Sequence, residues 1–413
     1  MRVAIIGGGA AGMMAAATIN EVNSGIEVFL IEKNESLGKK VLISGGGRCN
    51  ITTGIEDIKI VLKNYPRGEK FLTPAMHCFS PLDVRDWFGA HGVPQKCGED
   101  LRVFPKSNDG RDVLRVFEKI FSRHRTKIFF GHAVKSILKS KNGFVIKFTE
   151  HPPLEADRVV LALGGRSYQH TGSAGDGYAL AQSLGHKISP LAASLHSFVT
   201  KEKWPREVSG LTIAKAFVGV KSQKRYHTQG GILFTHWGVS GPAIFALSSL
   251  TAFLDFSPAN PLDIFIDLLP DLSAEKIIAD LKDIARKNPK KNFKNTVHNF
   301  VPRTLAEIIA RETGIHSQKK NAEVSNAEIE KVGQWFKFLP LQIVGRGAGE
   351  EFVTAGGVEL DEVNPHTMES KICSGLYFAG EILNIDGFTG GFNLQAAWAT
   401  GRAAGDSLAK NKK

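Results

Sequence analysis

Long apolar runs and cysteines are both scarce in this 413-residue chain. No apolar run reaches the length of a membrane-spanning helix, and because a glycine-rich segment begins at position 7 we expect no cleaved leader. The four cysteines, Cys49, Cys78, Cys97 and Cys373, are far apart and include no C-x-x-C pair. This scarcity argues against a disulfide framework and a thiolate metal site, so we expect no metal, no membrane partner and a cytoplasmic location.

Acidic residues are in deficit, with 41 Asp and Glu against 52 Lys and Arg, for a net charge of +11. A basic balance is typical of proteins that meet nucleic acid, membrane surfaces or anionic substrates. Part of the excess is local and falls on Lys287, Lys290, Lys291, Lys294, Lys319, Lys320, Lys410, Lys412 and Lys413. These lysines lack the series of interleaved aromatic residues that a base-stacking platform uses, so we interpret them as solvated loops and a chain end. Nucleic-acid binding stays open as an alternative.

The first 32 residues carry the strongest motif in the chain. A short apolar run from Arg2 to Gly7 is typical of a buried parallel strand, and Gly7–Gly12 fits G-x-G-x-x-G at the start of a small-residue helix. A second apolar run, Ile26–Ile31, ends at the acid Glu32. Strand, glycines, helix, strand and acid in this register predict a βαβ unit that binds a dinucleotide.

Each glycine of that motif has a structural role. Gly7 permits the tight turn, Gly9 lets a pyrophosphate approach the backbone, and Gly12 allows close packing of helix and strand. The helix predicted to follow, Met13–Ile19, has free N–H groups at its start, and these favour phosphate. Glu32 lies where an acid binds a ribose hydroxyl, and an acid rather than an Arg indicates the AMP half of FAD or NAD.

A second glycine-rich signal lies near the end of the chain. Leu376–Gly380 is predicted as a strand that ends in a turn at Gly380, and Glu381 comes next. Asp386 precedes the segment Gly390–Gln395, which opens a small-residue helix. The pyrimidine edge of a flavin gains negative charge on reduction, and the N-terminus of a helix stabilises such charge. We therefore predict that Gly390, Gly391, Phe392, Asn393, Leu394 and Gln395 cap this edge of the flavin, and that glycine lets the backbone approach the ring.

Between these signals lies a loop, Ser44–Asn50, whose three consecutive glycines exclude a regular element. Arg48 is suited to the diphosphate of FAD as a cation. Cys49 cannot form the C-x₄-C disulfide of flavin disulfide reductases, because Gly54 occupies the second position. We favour a packing role for Cys49, with a reactive thiol as the alternative.

The composition changes near Pro190 and returns to its earlier character near Gly345. We predict a discontinuous cofactor domain, 1–189 and 346–413, interrupted by an insertion at 190–345. The insertion is β-rich over 190–270 and helical over 271–345. No second strand, G-x-G-x-x-G and helix occur in register, so a nicotinamide nucleotide would have no Rossmann domain of its own. His170, His236 and His366 are candidate acid–base groups or ordinary loop residues.

Motifs over nearly the whole chain resemble the bacterial NAD(P)/FAD-dependent oxidoreductases of the aminoacetone-oxidase and bile-acid-reductase type. Besides Gly7–Gly12, Glu32, Ser44–Asn50 and Gly390–Gln395, they are Gly38–Lys40, Phe104–Pro105, Gly164–Gly165, Gly172–Gly177, Phe234–His236, Gly241–Pro242, Thr354–Gly357 and Thr367–Ser370. The chain departs from the family at Gln169 and His170, where the family has Pro-Lys. The resemblance implies an α/β fold with a Rossmann-like FAD-binding domain of the glutathione-reductase type and an inserted domain with a β-barrel and a helical part.

The sequence thus predicts a cytoplasmic FAD-dependent oxidoreductase that moves hydride between flavin N5 and a small organic substrate. Amine oxidation and NAD(P)H-dependent reduction of an enone-type compound stay open, with NAD(P)H as a transient donor. An FAD-dependent RNA-modifying or RNA-binding protein is the alternative, and no catalytic residue is assigned. The predicted FAD-binding residues are Gly7, Gly9, Ala10, Ala11, Gly12, Glu32, Lys33, Lys40, Ser44, Gly45, Gly46, Gly47, Arg48, Asn50, Ala133, Val134, Gly164, Gly165, Gly380, Glu381, Asp386, Gly390, Gly391, Phe392, Asn393, Leu394 and Gln395.

Overall fold

The structure is a computed structural model that describes residues 1–124, 126–347 and 352–410. The chain divides into two compact units. Unit 1 comprises Met1–Ser194 and Glu350–Lys413, and unit 2 comprises Leu195–Gly349, where the sequence predicts an insertion at 190–345. Of the predicted basic chain end, Lys412 and Lys413 lie outside the described residues.

Unit 1 is built on a five-stranded parallel sheet with strand order β19-β10-β1-β2-β6. Its strands are β1 (Arg2–Ile6), β2 (Glu27–Ile31), β6 (Lys127–Phe129), β10 (Arg158–Leu161) and β19 (Leu376–Phe378). Val3, Ala4, Ile5 and Ile6 are all buried, as both faces of the sheet are covered. That double burial explains why β1 is continuously apolar rather than alternating.

Helices cover one face of the sheet. Those of unit 1 are α1 (Ala10–Val22), α2 (Lys39–Ile43), α3 (Ile58–Leu62), α4 (Glu69–Cys78), α5 (Pro81–Ala90), α6 (Arg111–His124), α7 (Asp176–Ser183) and α13 (Phe392–Lys410). The small residues of α1 and α13 let the two helices touch, since a Cβ added to Gly401 would lie 2.4 Å from the Ala11 carbonyl oxygen. Val3 and Ile5 share a buried apolar cluster with α1, α6 and α13.

The remaining strands of unit 1 form small antiparallel sheets. They are β3 (Thr52–Thr53), β4 (Gln95–Cys97), β5 (Arg102–Pro105), β7 (Val134–Ser140), β8 (Gly143–Phe148), β9 (Leu154–Ala156), β11 (Ala192–Ser194) and β18 (Val353–Ala355). The orders are β3-β5-β4, β7-β8-β9 and β11-β18. Strands β7 and β8 form a hairpin, because Ser140 pairs with Gly143 across the turn.

Unit 2 contains a closed antiparallel barrel, as the family resemblance implied. Its strands are β12 (Phe198–Thr200), β13 (Thr212–Val220), β14 (Gln223–Thr235), β15 (Gly238–Ser240), β16 (Leu262–Asp267) and β17 (Leu339–Arg346). They pair in the order β12-β15-β14-β13-β16-β17, and β17 returns to β12. Phe198, Phe234 and Ile264 are buried in its core.

Unit 2 also contains helices. They are α8 (Pro242–Leu250), α9 (Ala274–Lys287), α10 (Phe293–Val297), α11 (Arg303–Glu312) and α12 (Asn326–Lys337). Ser273 caps α9, its hydroxyl oxygen accepting from Lys276 N at 3.2 Å. Ile277 and Leu281 lie on the buried face of α9.

The prediction that residues 271–345 are helical is wrong for the last residues of that range. Residues from Leu339 form β17, which pairs with both β12 and β16 and closes the barrel. Pro340 weakens the strand pattern of this segment in the sequence. The pairing partners that override that signal are distant in the chain. Separately, none of the described helices is long and apolar enough to cross a membrane.

Candidate functional site

The predicted cofactor residues of unit 1 gather along one edge of its parallel sheet. The carboxyl ends of parallel strands share an edge, and Gly7, Glu32, Gly164 and Gly380 follow β1, β2, β10 and β19 there. The edge is tied together by backbone bonds: Gly7 N donates to Ile31 O at 2.8 Å. Tertiary structure thus joins segments more than 350 residues apart in the sequence.

The glycines of the first motif divide into two that pack and one that faces open space. A Cβ on Gly7 would lie 2.4 Å from the Ala162 carbonyl oxygen, and one on Gly12 would lie 1.9 Å from that of Gly7. A Cβ on Gly9 would meet no heavy atom within 4 Å. Gly9 is therefore the position at which a ligand can approach the backbone, as a pyrophosphate requires.

The N-terminus of α1 offers unsatisfied donors beside that open space. No side chain caps the helix, and Met13 N, which donates to Gly9 O at 2.9 Å, makes the first intrahelical bond. The amides of Ala10, Ala11 and Gly12 therefore precede the helical ladder. Such a helix start is suited to a phosphate group.

Glu32 is buried at the end of β2 and is already held on both oxygens. Its Oε2 accepts from Gly8 N at 2.8 Å, and its Oε1 accepts from Asn34 N at 2.8 Å and Asn34 Nδ2 at 2.7 Å. A carboxylate has about four acceptor positions. The three bonds orient the carboxylate and leave one acceptor position open.

The loop that follows α2 is fixed by its side chains. Arg48 lies 4.2 Å from the centre of the Phe104 ring and donates from Nε to Gly45 O at 3.1 Å. Asn50 Oδ1 accepts from Val103 N at 3.2 Å. A Cβ on Gly46 or on Gly47, by contrast, would meet nothing within 4 Å. The backbone at these two glycines faces open space, while Ser44 folds back and donates from Oγ to Val41 O at 2.7 Å.

Cys49 lies in the same loop but is fully buried. Burial raises the pKa of its thiol to about 12, and a hydrogen bond with Ser44 opposes that rise only in part. The thiolate that would act as a nucleophile is therefore disfavoured. Its geometry supports the packing role rather than the reactive-thiol alternative.

A polar hub links Lys40, Glu381 and Ser167. Lys40 Nζ lies 2.7 Å from Glu381 Oε2 and also donates to Ser167 Oγ. Glu381 Oε1 accepts from Ser167 Oγ at 3.2 Å and from Thr354 N at 2.9 Å. Ser167 and Thr354 were not predicted as site residues, although Thr354 belongs to a quoted family motif. The hub holds α2, β18 and the segments after β10 and β19 in one arrangement.

The start of α13 presents a second set of unsatisfied amides. Gln395 N donates to Gly391 O at 2.9 Å, so the amides of Phe392, Asn393 and Leu394 precede the helical ladder. Asn393 closes the preceding turn, since its Oδ1 accepts from Gly387 N and its Nδ2 donates to Gly387 O, both at 2.8 Å. These bonds fix the turn, and the three amides at the start of α13 have no intrahelical partner.

The reason we predicted for the glycines of this turn is wrong. A Cβ on Gly391 would lie 2.4 Å from the carbonyl carbon and oxygen of Thr52, and one on Gly390 would lie 2.8 Å from the Phe392 ring. Both positions also have left-handed φ values, 96° and 132°. Glycine is required here because the turn packs on β3 and on its own helix, not because a flat ring approaches the missing Cβ.

Other predicted residues hold protein groups with their side chains. Lys33 pairs with Asp176 at the start of α7. Gln395 donates to Phe79 O at 2.9 Å and accepts from Thr52 Oγ1 at 2.6 Å. Most of the remaining predicted residues lie just after a strand of the parallel sheet. Ala133 and Val134 come after β6, Gly164 and Gly165 after β10, and Asp386 is paired with Arg67.

The three candidate histidines are exposed side chains. His170 and His366 are exposed in unit 1, and His236 in unit 2 is exposed and lies edge-on to Trp237 with ring centres 4.0 Å apart. Two histidines that the sequence did not single out, His186 and His196, are buried instead. His186 lies between Glu362 and Ser370, with its Nδ1 3.1 Å from Glu362 Oε2. Burial there lowers the pKa of His186, and Glu362 opposes that shift.

Two helix N-termini with open amides, those of α1 and α13, follow strands at one edge of a parallel sheet. The oriented carboxylate of Glu32 lies at the same edge. This arrangement is typical of an enzyme that binds a flavin dinucleotide. The open backbone at Gly9 and the free acceptor position of Glu32 fit FAD. The protein is accordingly an FAD-dependent oxidoreductase.

Comparison with known proteins gives the family. Residues 1–407 match the HI0933-like protein Rossmann domain, and the chain belongs to that family. A 3-dehydro-bile acid delta(4,6)-reductase from Clostridium scindens is 31% identical over 411 residues, which are 99% of each chain. A ribosomal RNA dihydrouridine synthase from Haemophilus influenzae is 27% identical over 416 residues, 98% of each chain.

A solved structure shares the fold. The 3-ketosteroid-delta4-(5alpha)-dehydrogenase from Rhodococcus jostii RHA1 superposes with a TM-score of 0.53 at 16% identity, over 99% of this chain and 96% of that one. At this identity the likeness concerns architecture alone.

Proposed function

We propose that the protein reduces a carbon–carbon double bond conjugated to a carbonyl group in a small organic substrate, with NAD(P)H as the reductant. The observation that carries this proposal is the full-length similarity to a 3-dehydro-bile acid delta(4,6)-reductase. That name describes reduction of ring double bonds in a molecule oxidised at carbon 3. It favours enone reduction over the alternative of amine oxidation.

The net reaction balances with groups of known chemistry. Over the whole reaction, NAD(P)H supplies one hydride equivalent, which ends on the β-carbon, while the electron pair of the double bond moves toward the carbonyl and a proton from solvent completes the α-carbon. NAD(P)⁺ and the saturated carbonyl compound are the products. Bound FAD supplies hydride transfer at its N5.

The residues of the chain would bind and orient that cofactor. The open amides of Ala10, Ala11 and Gly12 would hold the pyrophosphate. Glu32 would accept a hydrogen bond from the ribose. The amides at the start of α13 are suited to the pyrimidine edge, where they favour the electron-rich reduced ring. Because no second strand, G-x-G-x-x-G and helix exist in register, NAD(P)H uses the flavin site in turn.

An anaerobic assay of the FAD-loaded protein tests this function. The probes are 2-cyclohexenone and a 3-oxo-4,6-diene steroid, each with NADH or NADPH, and mass spectrometry follows the gain of two hydrogens. We expect nicotinamide oxidation coupled to saturation of at least one probe. Bleaching of the flavin by an amine such as aminoacetone, with no reduction by NADH or NADPH, would establish the oxidase instead.

A second candidate is reduction of uracil in RNA. The relative named as a ribosomal RNA dihydrouridine synthase favours it, as does the net charge of +11. The chemistry is the same, because the C5–C6 double bond of uracil is conjugated to the C4 carbonyl.

In the structure, several of the lysines that motivate the RNA candidate are paired with acidic side chains. Lys287, Lys294 and Lys319 pair with Asp283, Glu307 and Glu328 at 2.6, 2.9 and 2.7 Å. Phe293, which lies between Lys291 and Lys294, is fully buried and cannot stack on a base. Ribosomal RNA transcripts in the same assay, followed by nucleoside analysis for dihydrouridine, distinguish the two substrates. Binding that falls steeply with salt would accompany the RNA activity.

A further inference from the structure

A buried ion pair lies beside the start of α13. Asp386 is fully buried, and Arg67 donates to its Oδ1 and Oδ2 from Nε and Nη2. Ser194 Oγ is a further donor to Oδ2, at 2.9 Å. Bidentate pairing fixes the plane of the guanidinium as well as its distance. Removing Arg67 takes the guanidinium away from a fully buried carboxylate, which is costly.

The segment Asn64–Gly68, between α3 and α4, carries Arg67 and is bonded to the turn that precedes α13. We refer to it as the brace. Asn64 O accepts from Phe388 N at 2.9 Å, and Tyr65 OH donates to Phe392 O at 2.7 Å. Gly68 packs so closely on Ile385 that an added Cβ would lie 2.6 Å from its Cγ1. The brace therefore has a defined position relative to the first turn of α13.

The charged pair is also close to that turn along the chain. Asp386 is followed by Gly387, whose added Cβ would lie 2.8 Å from Phe392 Cβ. Phe392 provides the first of the open amides of α13. A charge that lies close in space to a buried site acts strongly on that site, because the effective dielectric constant there is well below that of water.

We propose that Arg67 and Asp386 each shift the reduction potential of the bound FAD, in opposite directions. This inference rests on the proposed placement of the flavin at the start of α13. The ring gains negative charge on reduction, so the Arg67 cation favours the reduced state and the Asp386 carboxylate favours the oxidised state. The two effects oppose each other in the parent protein. Arg67 and Asp386 are positioning residues, acting through charge on the cofactor.

Opposite shifts of the midpoint potential are the expected signature. Arg67→Gln removes a positive charge and lowers the potential, whereas Asp386→Asn removes a negative charge and raises it. The double variant lies between them. Tyr65→Phe is the matched control, since it removes a bond from the brace to α13 without changing charge. It is expected to lower thermal stability while leaving the potential at the parent value.

The measurement is a spectroelectrochemical titration of the FAD-loaded variants, with cofactor content and melting temperature recorded for each. Shifts of opposite sign support the inference. Shifts of the same sign, or potentials equal to the parent with full FAD content, overturn it. If one variant loses its FAD, the sign of the shift in the other decides. No substrate is needed, so failure of the enone assay leaves this result standing, and unchanged potentials leave the proposed reaction standing.

Discussion

Replacement of Glu32 by Gln isolates the contact that the sequence motif predicts with the adenosine ribose. In the structure the carboxylate accepts from Gly8 N and from Asn34 N and Nδ2, at 2.7 to 2.8 Å. Gln has one acceptor oxygen and an NH₂ group. One of these protein donors would therefore face another donor, and the ribose hydroxyl would lose a charged acceptor.

The magnitude follows from that geometry. A hydrogen bond to a charged group contributes about 1.5–3 kcal/mol. Loss of the ribose bond should therefore weaken FAD binding by about 10- to 150-fold. The internal bonds of Glu32 add a separate loss of stability to the FAD-free protein. Affinity alone does not distinguish the two effects.

A ligand comparison separates them. The FAD-free protein is titrated with ADP and with 2′,3′-dideoxy-ADP, which lacks the ribose hydroxyls. The parent should prefer ADP, and Glu32→Gln should lose most of that preference. Asn34→Ala is the control, because it removes one bond to the carboxylate and leaves its charge in place. It should lower stability and keep the preference for ADP. A Glu32→Gln protein that prefers ADP as strongly as the parent would refute the ribose contact.

Three further results are expected. Gly12→Ala should destabilise the FAD-free protein, because its Cβ would lie 1.9 Å from a carbonyl oxygen, whereas Gly9→Ala should keep its melting temperature and weaken FAD binding. Native-state alkylation followed by peptide mapping should label the exposed Cys78 and leave Cys49 unmodified until the chain unfolds; labelling of native Cys49 would contradict its burial. Burial lowers the pKa of His196 to about 4, so its unfolded form binds more protons below pH 6.5. Stability should therefore fall by about 2 kcal/mol between pH 7 and pH 5 in denaturant titrations, and His196→Gln should flatten that dependence.

Several parts of the site could be predicted because their signals are local. The turn, the close helix packing and the acid at the end of β2 each depend on residues within one βαβ unit, so spacing alone predicts Gly7, Gly12 and Glu32. The start of α13 is equally local, since free amides belong to any helix N-terminus. The hairpin at Lys141–Gly143 and the cap at Ser273 are predictable for the same reason.

The parts that could not be predicted depend on residues far apart in the chain. Ser167 bonds with Lys40 and Glu381, and Arg67 pairs with Asp386 across 319 positions. An arginine in an apparently helical stretch carries no sign of a partner at that distance. Nothing in the sequence shows that Gly391 is a glycine because of Thr52.

Sequence by itself determined the class of this protein, because dinucleotide binding needs a short run of residues in fixed register. Tertiary structure alone decided how the barrel closes through β17 and which charges meet beside α13. These features are set by packing and pairing between distant segments. Their free energy is realised only when the whole chain is folded, so no local pattern reports them.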